Sequence, residues 1–335
     1  MAKSRYGRDI ELPTEKTCVG CGETKPFDQF YSDVLKPTGH DYCTECLDKQ
    51  TDFPHRELIV QYSPEELLRE YQNVQKAKGK LDAVPVKNRI IWHYQHHFFE
   101  VERGLWEKPE LRNKLIKNRI KYRFKTFEEL TAREFLSGFK ISGMHYGFSH
   151  FSPLWIKAFA EKYNPSCTYD PCGGWGHRLI GMGNRPYIYN DIDDRSCDGV
   201  RRIIEDFNIK NKVVYNNDSS TFTPEDTYDC VFTCPPYFNL ENYTKSNTSH
   251  KAHPEYHDWL NVWWRNTIRR STGKDGVSLF AFVVSNKYLE AMRGVCESEG
   301  FSLIELSPVG SVKVKSHFQK DSKQEFLLVF DTNKA

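Results

Sequence analysis

Past Ser166 the chain settles into short apolar runs separated by helix-like stretches: CTYD (167–170), PYIYN (186–190), KVVYN (212–216), YDCVFT (228–233), VSLFAFVVS (277–285), SLIEL (302–306) and EFLLVFD (325–331). Runs this short and this apolar read as buried strands, and strands alternating with helices predict an α/β open sheet of seven strands. In such a sheet, ligands bind outside the carboxyl ends of the strands. The residues that follow each run are therefore the candidate site.

A length of 335 residues exceeds what one compact core usually takes. Three parts are expected: a zinc-binding module over 1–54, a helical and partly basic target-recognition region over 55–142, and the sheet domain over 143–335. The middle region opens with a Ser-Pro start at Ser63, and KNRIIWHYQHHFFEVERGLW and FEELTAREFLSGF carry apolar residues at three-to-four spacing. With 39% hydrophobic and 14% aromatic residues, disorder is excluded as the general state. No run approaches 18 apolar residues and the first residues carry no apolar stretch, so neither a membrane span nor a secretory leader is expected. The expectation is a soluble, cytoplasmic protein.

Ten cysteines in a reducing compartment point to metal binding or catalysis rather than disulfides. Cys18 and Cys21 form one C-x2-C pair and Cys43 and Cys46 another, the two separated by 21 residues, a spacing that lets two knuckles converge on one tetrahedral zinc. Four sulfurs close the shell, so this zinc is structural. His40 is an alternative ligand or a loop histidine. The segment resembles zinc-ribbon or treble-clef modules attached to phage and mobile-element DNA enzymes, and it carries no His-Asn-His nuclease constellation.

The first strand runs into Asp170-Pro171-Cys172-Gly173-Gly174-Trp175-Gly176, a glycine turn entering a helix, where a ligand can approach the backbone with no Cβ in the way. Leu179 stands where a dinucleotide fingerprint wants its third glycine. Asp191 follows the second run and Asp218 the third. Together, D-P-x-x-G-x-G, the acid after the second strand and N-D after the third resemble the class I S-adenosylmethionine-dependent methyltransferases, from about residue 146 to 331. The resemblance implies that Asp191, with Ile192 beside it, holds the cofactor ribose, that Asp218 faces the adenine amino group, and that Asp170, Pro171 and the glycines lie near the methionine end. Phe148 and Phe151, in YGFSHFSP, resemble the element that closes the methionine pocket, with core packing the competing reading.

The fourth run ends in Cys234-Pro235-Pro236-Tyr237, where two prolines force the chain out of the sheet. This resembles the [Asp/Asn/Ser]-Pro-Pro-[Tyr/Phe] motif of methyltransferases acting on exocyclic or amide nitrogens. The resemblance implies methyl transfer to adenine N6 or cytosine N4 of double-stranded DNA. Cys234 and the Pro235 carbonyl would orient the amine, and Tyr237 would stack on a base flipped out of the duplex. Cys234 departs from the pattern, because a thiol is a weak acceptor. Either Pro235 carries the positioning, Cys234 acts as thiolate, or the target group differs. RNA or protein-amide methylation, covalent cytosine C5 chemistry and a degenerate nucleic-acid-binding domain stand as rival readings.

A net charge of +2 argues against a uniformly basic surface. The stretch RNKLIKNRIKYRFK (112–125) nevertheless carries seven Lys or Arg and no acid. Lys114, Lys117, Arg119, Lys121 and Arg123 are candidate phosphate contacts, against the alternative of a solvated helix face. A restriction-modification or phage context is expected, and a homodimer is left open.

Overall fold

The computed structural model describes residues 2–3, 9–32, 40–49, 52–54, 56, 59–83, 89–99, 106–123, 126–141, 150–238, 255–310 and 324–333. The chain divides into two compact units, one of residues 1–60 with 101–146 and one of residues 61–100 with 147–335.

All seven apolar runs of the second unit become strands: β1 (Thr168–Asp170), β2 (Tyr187–Asp191), β3 (Lys212–Asn216), β4 (Cys230–Thr233), β5 (Leu279–Ser285), β6 (Ser302–Val309) and β7 (Glu325–Asp331). They form one seven-stranded sheet in the order β6-β7-β5-β4-β1-β2-β3. β7 runs antiparallel to both neighbours, and the other pairings are parallel. This is the class I methyltransferase fold. The central strands are buried on both faces, as parallel sheets require, with every residue of β4 buried. Phe282 of β5 stacks on Phe330 of β7 at 6.0 Å, and Trp264 meets Phe282 edge-on at 5.2 Å. The strand order reverses beside β1, where β2 leaves on one side and β4 on the other. The loops after β1, β2, β3 and β4 therefore gather at one end of the sheet.

Residues 61–100 belong to this unit, not with 101–142 as the three-part reading expects. The helix Pro64–Lys76 starts at a reciprocal cap, in which Ser63 Oγ accepts from the Glu66 amide at 3.3 Å and Glu66 accepts from the Ser63 amide at 3.2 Å. Its Tyr71 stacks on Phe207 at 4.9 Å, Gln75 donates to the Ile180 carbonyl at 2.8 Å, and Tyr94 donates to Asp206 at 2.6 Å. Apolar faces that lack a core of their own close on the helices flanking the sheet. Among the described residues of the helical pattern expected over 87–106, Arg89–Tyr94 is a helix and a 3-10 turn follows over His96–Phe99.

The first unit is built around a hairpin of Glu15–Thr17 with Thr24–Pro26, a helix Thr44–Lys49, and the helices Pro109–Arg123 and Ala132–Ile141. The cysteine segment is too polar to make a core, and residues beyond 101 complete one. Trp106 is buried against Phe135 at 5.0 Å and donates to the Arg56 carbonyl at 2.9 Å, while Phe53 packs on Phe127 at 5.1 Å. Among the described residues no helix is long and apolar enough to cross a membrane.

Candidate functional site

The cysteine pairs meet as their spacing predicts. Cys18 and Cys21 occupy the turn of the hairpin, Cys43 and Cys46 the start of the Thr44–Lys49 helix, and the four sulfur atoms lie within 4.8 Å of one another. A tetrahedron with metal–sulfur bonds of about 2.3 Å has edges of roughly 3.8 Å, so the group fits one ion. Amides from Gly20 at 3.3 Å and Cys43 at 3.2 Å donate to the Cys18 sulfur. Burial pushes that thiol up, but amide donors from Cys43, Cys21 and Gly20 outweigh it and bring it down to about 6. His40 lies outside this group; it is buried, with its ring 5.4 Å from Tyr31 and 5.5 Å from Tyr122.

Among its described side chains the basic stretch is a mixed face, with Arg112 and Arg119 buried and Lys117 and Lys121 half-buried. Arg119 is 1% exposed and lies against Gly138, where a Cβ would come within 2.7 Å of its Nε. Lys117 donates to the Asp48 carbonyl at 3.2 Å, and Lys121 sits over the Tyr31 ring at 2.7 Å. Lys114 is exposed, and Arg123 closes the helix. Helical periodicity turns Leu115, Ile116, Arg119 and Ile120 inward together, so Arg119 is corrected from a phosphate contact to a packing residue.

The glycine loop depends on groups that are distant in sequence. Asp170 is fully buried at the end of β1, and it accepts from Arg178 Nε at 2.6 Å, Thr233 Oγ1 at 2.9 Å, the Cys172 amide at 3.2 Å and the Tyr187 hydroxyl. Arg178 also donates to the Cys172 carbonyl. Burial works against the charged form of Arg178, but the Asp170 carboxylate paired with it outweighs that and raises its affinity for the proton, so the guanidinium stays charged beside the Cys-Pro-Pro turn. Asp170 is thus the joint between the glycine loop and the end of β4, with its acceptor positions occupied by the protein. Its carboxylate holds the loop in place and offers no free acceptor of its own. Arg178, Tyr187 and Thr233 were missed in the sequence; the available signal was an arginine among apolar residues in a short buried helix, which must find a carboxylate.

Asp191 is differently placed. It accepts from the Gly174 amide at 2.7 Å and the Asp193 amide at 2.9 Å, one on each oxygen. Burial pushes its carboxyl up to about 6, against those two amides. Ile192 beside it is 49% exposed. Gly174, at φ +61, has nothing within 4 Å of where a Cβ would stand, whereas a Cβ on Gly173 would strike the Tyr189 ring at 2.1 Å. One glycine thus faces open space and the other a packed ring. Asn190, fully buried, ties the loop to the end of β3 through Pro171 O at 3.1 Å and Asn217 O at 3.0 Å. Asp218 accepts from the Ser220 amide and hydroxyl, both at 2.8 Å, through one oxygen.

Phe151 is a core residue, 8% exposed, edge-on to Trp155 at 5.0 Å and beneath the Arg178 guanidinium at 5.1 Å. Phe148 lies outside the described residues. Cys172 is pushed up to about 12 by burial, which keeps it an inert thiol.

At the end of β4, Cys234 and Pro236 are partly buried and Pro235 is buried. Tyr237 is 4% exposed; its hydroxyl donates to Glu325 at 3.1 Å and its ring lies 6.1 Å from Tyr288. A stacked base needs an open ring face, so Tyr237 as placed here is a wall of the core and not the stacking surface the motif implied. Most of the loop that follows, residues 239–254, lies outside the described residues.

No family model matches the chain, and no curated protein matches it. Among solved structures it is similar to TrmN from Thermus thermophilus, at 14% identity and a TM-score of 0.39, over 53% of this chain and 48% of that one. It is also similar to magnesium protoporphyrin IX methyltransferase from Synechocystis with bound S-adenosylmethionine, at 12% identity and TM-score 0.37, over 55% of this chain and 76% of that one. A third likeness is an S-adenosylmethionine-dependent methyltransferase from Clostridium acetobutylicum, at 9% identity and TM-score 0.37, over 52% and 88%. The chain spans about half the length of the Thermus protein. The fold assignment rests on strand order and register.

Proposed function

We propose that the chain is an S-adenosylmethionine-dependent methyltransferase acting on an exocyclic amino nitrogen of a nucleobase, adenine N6 or cytosine N4 in DNA, with one structural zinc held by Cys18, Cys21, Cys43 and Cys46. The observation that carries it is a single joint: Asp170 binds Thr233, the residue before Cys234, and also the Cys172 amide of the glycine loop. A cofactor loop and an amine-orienting turn are thereby held at the same end of the sheet.

The pocket fits the cofactor by its donor set and its space. Asp191 keeps lone pairs for two ribose hydroxyls, Ile192 offers an exposed apolar surface to the adenine, Asp218 has a carboxylate oxygen left for its amino group, and Gly174 leaves room beside the loop. When bound, S-adenosylmethionine supplies an electrophilic methyl group on a sulfonium. The protein's part is orientation. An aromatic amine is a poor nucleophile because its lone pair is delocalised, and the Pro235 carbonyl, with Cys234, would draw its hydrogens aside so that the lone pair points at the methyl carbon. The same geometry serves an exocyclic amine in RNA, so RNA is the second reading.

Affinity for S-adenosylhomocysteine is expected to drop by about 1.5 to 3 kcal/mol in Asp191→Ala, through loss of charge-assisted hydrogen bonds. In the wild type it should also weaken as pH falls below about 6, where the Asp191 carboxyl takes up its proton. Fold stability moves the other way. With the carboxyl near 6 in the folded chain and 3.8 ordinarily, ionised Asp191 costs stability in full above about 6, and the cost vanishes as pH falls through 3.8. Calorimetry across pH 5 to 8 finding no change in affinity would remove Asp191 from the pocket.

Mass spectrometry of DNA and RNA digested from cells expressing the protein tests the reaction, with N6-methyladenine or N4-methylcytosine expected. Cys234→Ser should keep or raise this activity, because a hydroxyl orients an amine at least as well as a thiol. Covalent C5 chemistry needs the sulfur, so a serine variant that binds cofactor and substrate yet is inert would overturn the amine assignment.

A further inference from the structure

We propose that Tyr256 is the surface on which the target base stacks beside the Cys234-Pro235-Pro236 turn, a site for a planar heteroaromatic base. The proposal rests on the methyltransferase reading of that turn, whose own tyrosine is closed. Tyr256 is 40% exposed, and its ring lies nearly parallel to those of Trp259, at 5.9 Å and 27°, and Tyr288, at 6.1 Å and 27°. Phe238, the residue after Tyr237, meets Tyr256 edge-on at 5.5 Å, and Tyr288 neighbours both tyrosines. The exposed ring is thus joined to the turn through Phe238 and Tyr288.

Local backbone explains why the ring stays at the rim. Trp259 begins a π-helical stretch, Trp259–Trp264, which turns Trp259, Leu260, Trp263 and Trp264 into the core and follows directly on Tyr256–Asp258. Such stretches are rare and recur at functional sites. Tyr256 is held against rings that are themselves buried, Trp259 fully and Tyr288 at 3% exposure. An aromatic ring already fixed by its neighbours presents a face to a planar ligand with little further ordering to lose. Stacking tolerates every base, so selectivity for the amine stays with the turn and Tyr256 supplies affinity and orientation.

The test uses the full chain with saturating S-adenosylhomocysteine and single-stranded DNA and RNA oligonucleotides carrying 2-aminopurine, whose fluorescence is quenched on stacking. Wild type should quench at least one of the two, and the one bound more tightly identifies the source of the base. Tyr256→Ala should weaken that binding by roughly 5- to 150-fold, and Tyr256→Phe should keep it within about twofold. Affinity for S-adenosylhomocysteine should be unchanged in both variants, which separates a lost stacking face from a lost fold. Tyr256→Ala binding as tightly as wild type overturns the proposal, as does a wild type that binds S-adenosylhomocysteine but quenches neither oligonucleotide. A wild type that binds no S-adenosylhomocysteine removes the methyltransferase reading, and the proposal with it.

Discussion

Cys43→Ser protein should carry no zinc and lose the fold of its N-terminal unit, where wild type should carry one zinc per chain. The effect is large because the described residues of the cysteine segment make only a small apolar cluster: Cys18, Phe30 and Cys43 pack together with Cys46 against them, and Tyr42 is buried as well. Metal binding in such a segment is itself folding free energy, with an apparent value of about 10 to 16 kcal/mol for small zinc modules at neutral pH. Elemental analysis reads the metal, and hydrogen exchange over residues 15–49 reads the fold. Freshly purified wild type without zinc would end the assignment.

Asp170→Asn should destabilise the second unit by about 3 to 5 kcal/mol, because it leaves the Arg178 guanidinium buried without its counter-charge. Asp218→Asn is the control. It removes the charge at a partly exposed site while leaving an amide oxygen that still accepts from the Ser220 amide and hydroxyl, and should cost about 1 kcal/mol or less. Urea unfolding of the three proteins decides it. Equal losses for the two variants would mean that Asp170 is not the joint between the glycine loop and the end of β4. The same substitution should also weaken S-adenosylhomocysteine binding, since the Cys172 amide and carbonyl are both held through the Asp170–Arg178 pair.

The short-range features were legible in the sequence. Each of the seven strands was marked by its own apolar run, and the cysteine pairs by spacing alone, because strand burial and knuckle geometry are set by residues a few positions apart. The ends of β1, β2 and β4 were legible for the same reason, and with them Asp170, Asp191 and Cys234. The sequence thus determined which strand ends carry the candidate site residues and of what types they are.

Only the tertiary structure decided what each of those residues is free to do. Asp170 and Asp191 look alike in sequence, each an acid at a strand end. One is saturated by Arg178, Tyr187 and by Thr233, 63 residues away, while the other keeps acceptor capacity beside a glycine with open space next to it. Arg119 reads as one of seven cations but is turned inward onto Gly138, and Tyr237 reads as a stacking ring but is closed against Tyr288 and Glu325. Residues 61–100 carry an apolar face that the sequence could not assign to a partner, and the helices beside the sheet took it. The physical reason is common to all four. Periodicity and spacing report the conformation of a segment, whereas burial, charge pairing and exposed ring faces depend on neighbours that folding brings from far along the chain.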